Sequence, residues 1–263
     1  MSAILASVDG RITPADEAVI PAGDDGLLRG DGVFEVCRLY AGRPFAMEEH
    51  YTRIGRSAAG LRLEFDLEEL RTEVEALLAA AGDDEGLLRI VLTRGGRRVA
   101  FVEEVPQHPP SQSVVTVTYT PNRVLDGLKT LSYGANMLAG RIAREQGADE
   151  ALFVTPHGRV LEGPTWSFFW VRDGKLLTPP LEERILDSIT RSHVLRSSAV
   201  EERITTLDDL QGADEAFIAS TVREVMPISA IDGRELPAAP GPVTEAAAGA
   251  LRAHVERELA ATR

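Results

Sequence analysis

Along the first half of the chain, apolar positions alternate between strand-like and helix-like spacing. Ile4–Val8 and Val33–Tyr40 are rich in β-branched residues and predict strands. Ala41-Gly42 marks a turn, with Arg43–Met47 as the returning strand. From Glu48 to Leu61, apolar and small residues recur at helical spacing and stop at Gly60. Asp66, with Glu69 three positions on, predicts the N-cap of a helix that runs through Ala81 and stops at Gly82. Leu87–Thr93 and Val99–Val102 predict a hairpin over Arg94–Arg98, and Ser113–Thr120 predicts a further strand. Two helices against an antiparallel sheet is an α+β layout.

Thr120-Pro121-Asn122-Arg123 interrupts the pattern and predicts a linker. The expected division is therefore a first domain over 1–119, a linker over 120–124 and a second domain over 125–263. The second part opens with a short expected strand, Leu128–Ser132, and a helix from Ala135 to about Glu145 that ends at Gly147. Hairpins are expected for Ala151–Thr155 with Arg159–Leu161, and for Trp166–Arg172 with Lys175–Thr178. Ser188–Ser198 reads as helix, Glu215–Ala219 and Glu224–Ile231 as strands, and Ala246–Ala260 as a closing amphipathic helix.

Composition narrows the function. Apolar residues make up 44% and charged residues 26% of the 263, an ordinary globular balance. No apolar run approaches the ~20 residues a membrane span needs, and no secretion signal opens the chain. A net charge of −13 argues against a nucleic-acid surface. Anionic substrates must then be drawn by local arginines. Cys37 is the one cysteine, which excludes an intrachain disulfide and a cysteine-based zinc site and fits the cytoplasm; no metal site is expected.

The basic residues are nearly all arginine; only Lys129 and Lys175 are lysines. Arginine cannot form a Schiff base, so amine–carbonyl chemistry has two candidate carriers. Lys175 sits at a turn tip, where a solvated ammonium stays protonated. Lys129 lies among apolar neighbours in Gly127–Tyr133, where desolvation favours the neutral amine; an edge lysine with its head in water fits the same segment. Glu162, after Arg159-Val160-Leu161, is either a turn residue or a partner for a pyridinium nitrogen. Ser188-Ile189-Thr190-Arg191 opens a helix and Ala219-Ser220-Thr221 follows a strand; each is a plain cap or a phosphate cradle, to which Arg53 could add a charge.

The residues then fall into one series. Gly30-Asp31-Gly32-Val33-Phe34-Glu35-Val36, His50 with Arg53, and Lys129-Thr130-Leu131 resemble the class IV aminotransferase family. So do Gly147–Ala151, Gly158–Gly163, Thr178-Pro179, Ile189-Thr190-Arg191, and Ser220-Thr221 with Glu224. The resemblance spans nearly the whole chain in order.

It implies a fold-type IV enzyme that uses pyridoxal 5′-phosphate, with a small α+β N-terminal domain and a larger C-terminal domain whose β-barrel-like core is flanked by helices. The cofactor would lie between the domains of a homodimer with shared active sites. Lys129 would form the Schiff base and move the proton. Glu162 would bind the pyridine nitrogen, and Arg53, Ile189, Thr190, Ser220 and Thr221 the phosphate. Tyr133 would reach the phenolic oxygen and Leu186 pack on the ring face. Ser132 and Ser167 stand where the family usually has asparagine, and Ser188 where it has glycine.

Three reactions are common in that family. The aminodeoxychorismate lyase, which releases 4-aminobenzoate and pyruvate, usually carries a threonine hydroxyl where Val36 stands. Branched-chain L-amino-acid enzymes usually carry a tyrosine where Leu87 stands. Phe34-Glu35-Val36 resembles D-amino-acid transaminases, which pass an amino group from a D-amino acid, or from an R-amine, to a 2-oxo acid. Candidates for the substrate carboxylate are Arg29 and Arg89, with Arg97 or Arg98 as alternatives, beside Phe34 and Val36.

Overall fold

The glycine and proline punctuation of the sequence becomes a chain of short elements gathered into two sheets. The computed structural model describes residues 3–261. The first sheet takes β1 (Ala3–Val8), β2 (Arg11–Pro14), β3 (Gly32–Tyr40), β4 (Arg43–Pro44), β5 (Gly86–Thr93) and β6 (Arg98–Glu103) in the order β2-β1-β6-β5-β3-β4. With it go α1 (Asp25–Arg29), α2 (Met47–Gly60) and α3 (Leu67–Ala81).

Strand alternation sends Val33, Cys37 and Leu39 of β3 and Leu88, Ile90 and Leu92 of β5 to one face. There they pack with Tyr51, Ile54 and Ala58 of α2 and Leu70, Val74 and Leu77 of α3. Each of the larger aliphatics contributes roughly 1.5–3 kcal/mol by burial. α3 starts where expected: the Asp66 carboxylate accepts from the backbone N–H of Glu68 and Glu69, a cap worth about 1 kcal/mol.

The second sheet has ten strands: β7 (Gln112–Thr118), β8 (Glu150–Val154), β9 (Arg159–Val160), β10 (Ser167–Arg172), β11 (Lys175–Thr178), β12 (Val200–Glu202), β13 (Thr205–Thr206), β14 (Glu215–Ser220), β15 (Glu224–Ile231) and β16 (Arg234–Glu235). Its order is β12-β11-β10-β14-β15-β7-β8-β9-β13, with β16 on β15. The helices here are α4 (Gly134–Glu145), α5 (Ile189–Ser197), α6 (Leu207–Leu210) and α7 (Pro242–Ala261). Trp166, Phe168, Trp170 and Ile218 centre one core, and α4 buries Ala139 and Ala143 against Ala151 and Phe153 in another. Among the described residues no helix is long and apolar enough to cross a membrane.

Three expectations change. The strand expected over Arg43–Met47 stops at Pro44, because Ala46 turns left-handed (φ 55°) and α2 begins at Met47. The strand over 113–120 pairs in parallel with β8 and β15 of the second sheet, not with the first. The strand over 128–132 shrinks to a single bridge between Thr130 and Val33.

The chain thus forms two compact units: described residues up to Gln107 with Leu128–Tyr133, and His108–Gly127 with Gly134–Ala261. The linear division at 120–124 misses both exchanges, since pairing partners rather than chain order decide membership. β2, β12, β13, β16, α1 and α6 run two to five residues each, too short to leave a periodic signature.

Candidate active site

In the first unit the site is built on β3. β4 covers only Leu39 and Tyr40 of that strand, so its opposite end has an unpaired edge. Residues 129–131 fill it: Phe34 N–H donates to the Lys129 carbonyl (3.2 Å) and Leu131 N–H to the Gly32 carbonyl (2.8 Å). Gly32 permits this approach. A Cβ there would lie 2.4 Å from the Leu92 carbonyl oxygen and 2.7 Å from the Leu131 side chain.

From the other side, Lys129 N–H donates to Ser57 Oγ of α2 (3.1 Å). The Lys129 side chain is half-buried. Its Nζ stands 4.2 Å from the Phe34 ring centroid and donates to Tyr133 Oη at 3.5 Å. The two rings meet edge-on at 5.0 Å. Lys175, by contrast, is exposed at the start of β11.

One face of α2 carries His50, Arg53 and Ser57, spaced as i, i+3 and i+7, and all three are buried. The first two converge on Glu35, which alternation points to the helix side of β3 and which is fully buried. Glu35 accepts from Arg53 Nε (2.7 Å) and Nη2 (2.6 Å), and from His50 Nδ1 (2.7 Å). Burial pushes its carboxyl pKa up. The hydrogen bonds and charge of Arg53, then those of His50, more than reverse this and hold it at about 2. Burial lowers the pKa of His50. Sequence reading gave Arg53 a phosphate role but gave Glu35 none. The signal was a carboxylate between two apolar strand residues and a His-x-x-Arg on one helix face.

The opposite face of β3 carries Phe34 and Val36. Val36 lies directly across from Arg89, and Arg89 from Phe101, so all three side chains share that face. Arg89 reaches Glu103 through Nη2 (2.9 Å) and Nε (3.1 Å). Arg29 ends α1 in solvent, paired with Asp25 at 3.0 Å.

Of the two loop alternatives, the register removes only Arg98 from the Phe34 face. Arg97 pairs with Asp9 at 2.5 Å. Arg98 is clamped by Glu73 and Glu69 of α3 (2.8 Å each), on the helix-covered face. The register puts Arg98 across from Leu92, away from Phe34 and Val36. It ties helix to sheet.

In the second unit, the Glu162 carboxylate accepts from Leu186 N–H at 2.8 Å, which brings those two predicted residues together. Main-chain bonds with Phe153 fix the strand end that presents Glu162. The turn after it is equally constrained. Asn136 donates to the Pro164 carbonyl (2.7 Å), and a Cβ on Gly163 would fall 1.9 Å from the Trp166 ring. Burial, then the Glu162 charge, raises the Tyr119 pKa.

Ser188 caps α5 by accepting from Arg191 N–H (3.3 Å), and Ile189 and Thr190 form its first turn. Ser220 ends β14, with its Oγ accepting from Arg223 N–H (3.1 Å), and Thr221 follows. α5 packs against β14.

Three known proteins place the chain. A D-alanine aminotransferase of Bacillus licheniformis is 31% identical, over 97% of this chain and 98% of its own length. A putative branched-chain-amino-acid aminotransferase of Methanocaldococcus jannaschii is 34% identical, over 86% and 88%. The PLP-bound form of a hypothetical aminotransferase from Mycobacterium tuberculosis superposes with a TM-score of 0.87 at 28% identity, covering 97% of this chain and 99% of that one. The family model for amino-transferase class IV matches residues 32–231, from the first residue of β3 to the last of β15, and the chain therefore belongs to the class IV aminotransferases, pyridoxal-phosphate-dependent enzymes of fold type IV.

Proposed function

We propose that this enzyme, working as a homodimer, transfers amino groups from D-amino acids, and from R-amines, to 2-oxo acids. The functional groups suit pyridoxal 5′-phosphate. Lys129 offers an amine held between two rings rather than in open water. Glu162 offers a carboxylate fixed by a main-chain N–H. The α5 N-terminus and the Ser220 and Thr221 hydroxyls offer donors to a phosphate. When bound, the cofactor supplies an electron sink for charge that develops at the substrate Cα.

The chain's residues do the rest. Lys129 anchors the cofactor and carries the proton to and from Cα; Phe34 and Tyr133 hold its side chain in place. Glu162 pairs with the ring nitrogen, Leu186 packs on the ring and Tyr133 addresses the phenolic oxygen. Arg53 strengthens the phosphate hold, aimed by Glu35. Replacing Glu162 by glutamine is expected to retain the cofactor and slow the half-reaction about tenfold. That is the effect of roughly one pKa unit lost on the ring nitrogen. An unchanged single-turnover rate at saturating substrate would leave Glu162 a turn residue.

The observation that carries the D-amino-acid reading is the composition of the Phe34 face. Val36 has no hydroxyl to assist an elimination, Leu87 stands where branched-chain enzymes usually have tyrosine, and Arg89 supplies a cation. The likeness to a D-alanine aminotransferase along nearly the whole chain supports it. Arg29 is its expected partner for the substrate carboxylate.

Half-reactions test it. D-alanine should convert the cofactor from its aldehyde to its amine form faster than L-leucine or L-valine does. Aminodeoxychorismate should give no aminobenzoate without an acceptor. Faster conversion by L-leucine, or rapid release of aminobenzoate, would overturn the assignment.

A further inference from the structure

Arg89 does not face the site alone. Its guanidinium is already engaged by Glu103, whose side chain is 8% exposed and bonds it from two nitrogens. The pair belongs to the face that carries Phe34 and Val36. Glu103 pairs with Leu87 in register, one alternation along β5 from Arg89 and on the same side. The guanidinium carbon lies 6.0 Å from the Phe34 centroid and 5.8 Å from that of Phe101. Lys129 Nζ addresses the same Phe34 ring at 4.2 Å. The reactive amine and the ion pair therefore border one aromatic surface.

We infer that Glu103 is a specificity-determining residue: as the resident counter-ion of Arg89, it lets the site accept amino donors both with and without a carboxylate. The inference rests on the reading of Arg89 as substrate-facing. A half-buried guanidinium without a partner is costly beside an apolar substituent. With Glu103 in place the pair is neutral, and the apolar group of a simple amine meets no stranded charge. A substrate carboxylate must instead compete with Glu103 for Arg89 and suffers repulsion from it. Glu103 thus favours amines and raises the KM for amino acids, without touching the proton transfer at Lys129.

The test compares kcat/KM for D-alanine and (R)-1-phenylethylamine on the cofactor-loaded enzyme. In Glu103→Gln, the ratio of D-alanine to amine efficiency should rise about tenfold or more, the scale of one charge-assisted hydrogen bond. The change should appear in KM for D-alanine, with kcat nearly constant. A merely structural role would lower both substrates together and leave the ratio unmoved, which overturns the inference.

If Glu103→Gln does not fold, Glu103→Asp keeps the charge but shortens its reach and loosens its hold on Arg89. The ratio of D-alanine to amine efficiency should again rise, through KM for D-alanine. An unmoved ratio in a folded variant overturns the inference. Should the wild type prefer L-alanine to D-alanine, the D-amino-acid reading fails, but the same ratio taken with L-alanine still decides the role of Glu103. The inference concerns the carboxylate, not the hand of the substrate.

Discussion

Lys129→Ala is expected to abolish transamination while leaving the fold intact. The backbone of residue 129 does the structural work: its N–H reaches Ser57 Oγ and its carbonyl receives Phe34 N–H, and both survive the substitution. The side chain contributes the amine alone. Loss of a positioned proton carrier costs roughly 10²- to 10⁴-fold, and loss of covalent anchorage adds to that. Lys175 cannot replace it, because it stands exposed at the start of β11. Borohydride reduction of the cofactor-loaded wild type should leave the pyridoxyl label on the peptide that contains Lys129. Label on Lys175, or a Lys129→Ala enzyme with more than a few per cent of wild-type activity, would refute the assignment.

Composition narrowed amine chemistry to two lysines, and the proposed choice of Lys129 came from the family resemblance of Lys129-Thr130-Leu131. Helices with side-chain caps were legible: Asp66 for α3 and Ser188 for α5 both act within three residues of themselves. What sequence could not show was pairing at long range. Residues 128–131 look like the start of a strand of their own, yet they serve as a patch on β3, nearly a hundred positions earlier. Arg98 read as a loop cation near substrate because Glu69 and Glu73, which hold it, belong to a helix 29 and 25 residues back. Arg89 was a candidate for the substrate carboxylate on its residue type alone; the register puts it on the Val36 face, with its ion partner across a hairpin on β6. The class of chemistry came from local strings, whereas the state of each charge came from the register.

Glu35 shows the cost of missing such a partner, and Glu35→Ala should be among the most damaging single changes in the first unit. The carboxylate is fully buried and neutralises Arg53, itself 6% exposed, while accepting from His50. Removing one member of a buried ion pair typically costs about 3–5 kcal/mol, because the other charge stays behind unpaired. Arg53 would also lose the two bonds that aim it, so cofactor affinity should fall along with stability.

Acid should separate the electrostatic part of that loss from the packing part. Glu35 is held at about 2 in the folded chain, against about 4.3 for an ordinary glutamate. Below that ordinary value the unfolded chain takes up a proton that the folded one refuses. Stability from this group is complete above about pH 4.3 and is lost as pH falls toward 2. His50, also depressed by burial, adds loss in the same direction once pH drops below its ordinary value of about 6.5. Urea unfolding of wild type and Glu35→Ala from pH 7 down to pH 3 should therefore converge: a gap of several kcal/mol at neutrality should narrow as the wild type gives up what the variant never had. A gap below about 1 kcal/mol at pH 7, or one that keeps its size down to pH 3, would show that Glu35 does not anchor Arg53 through its charge.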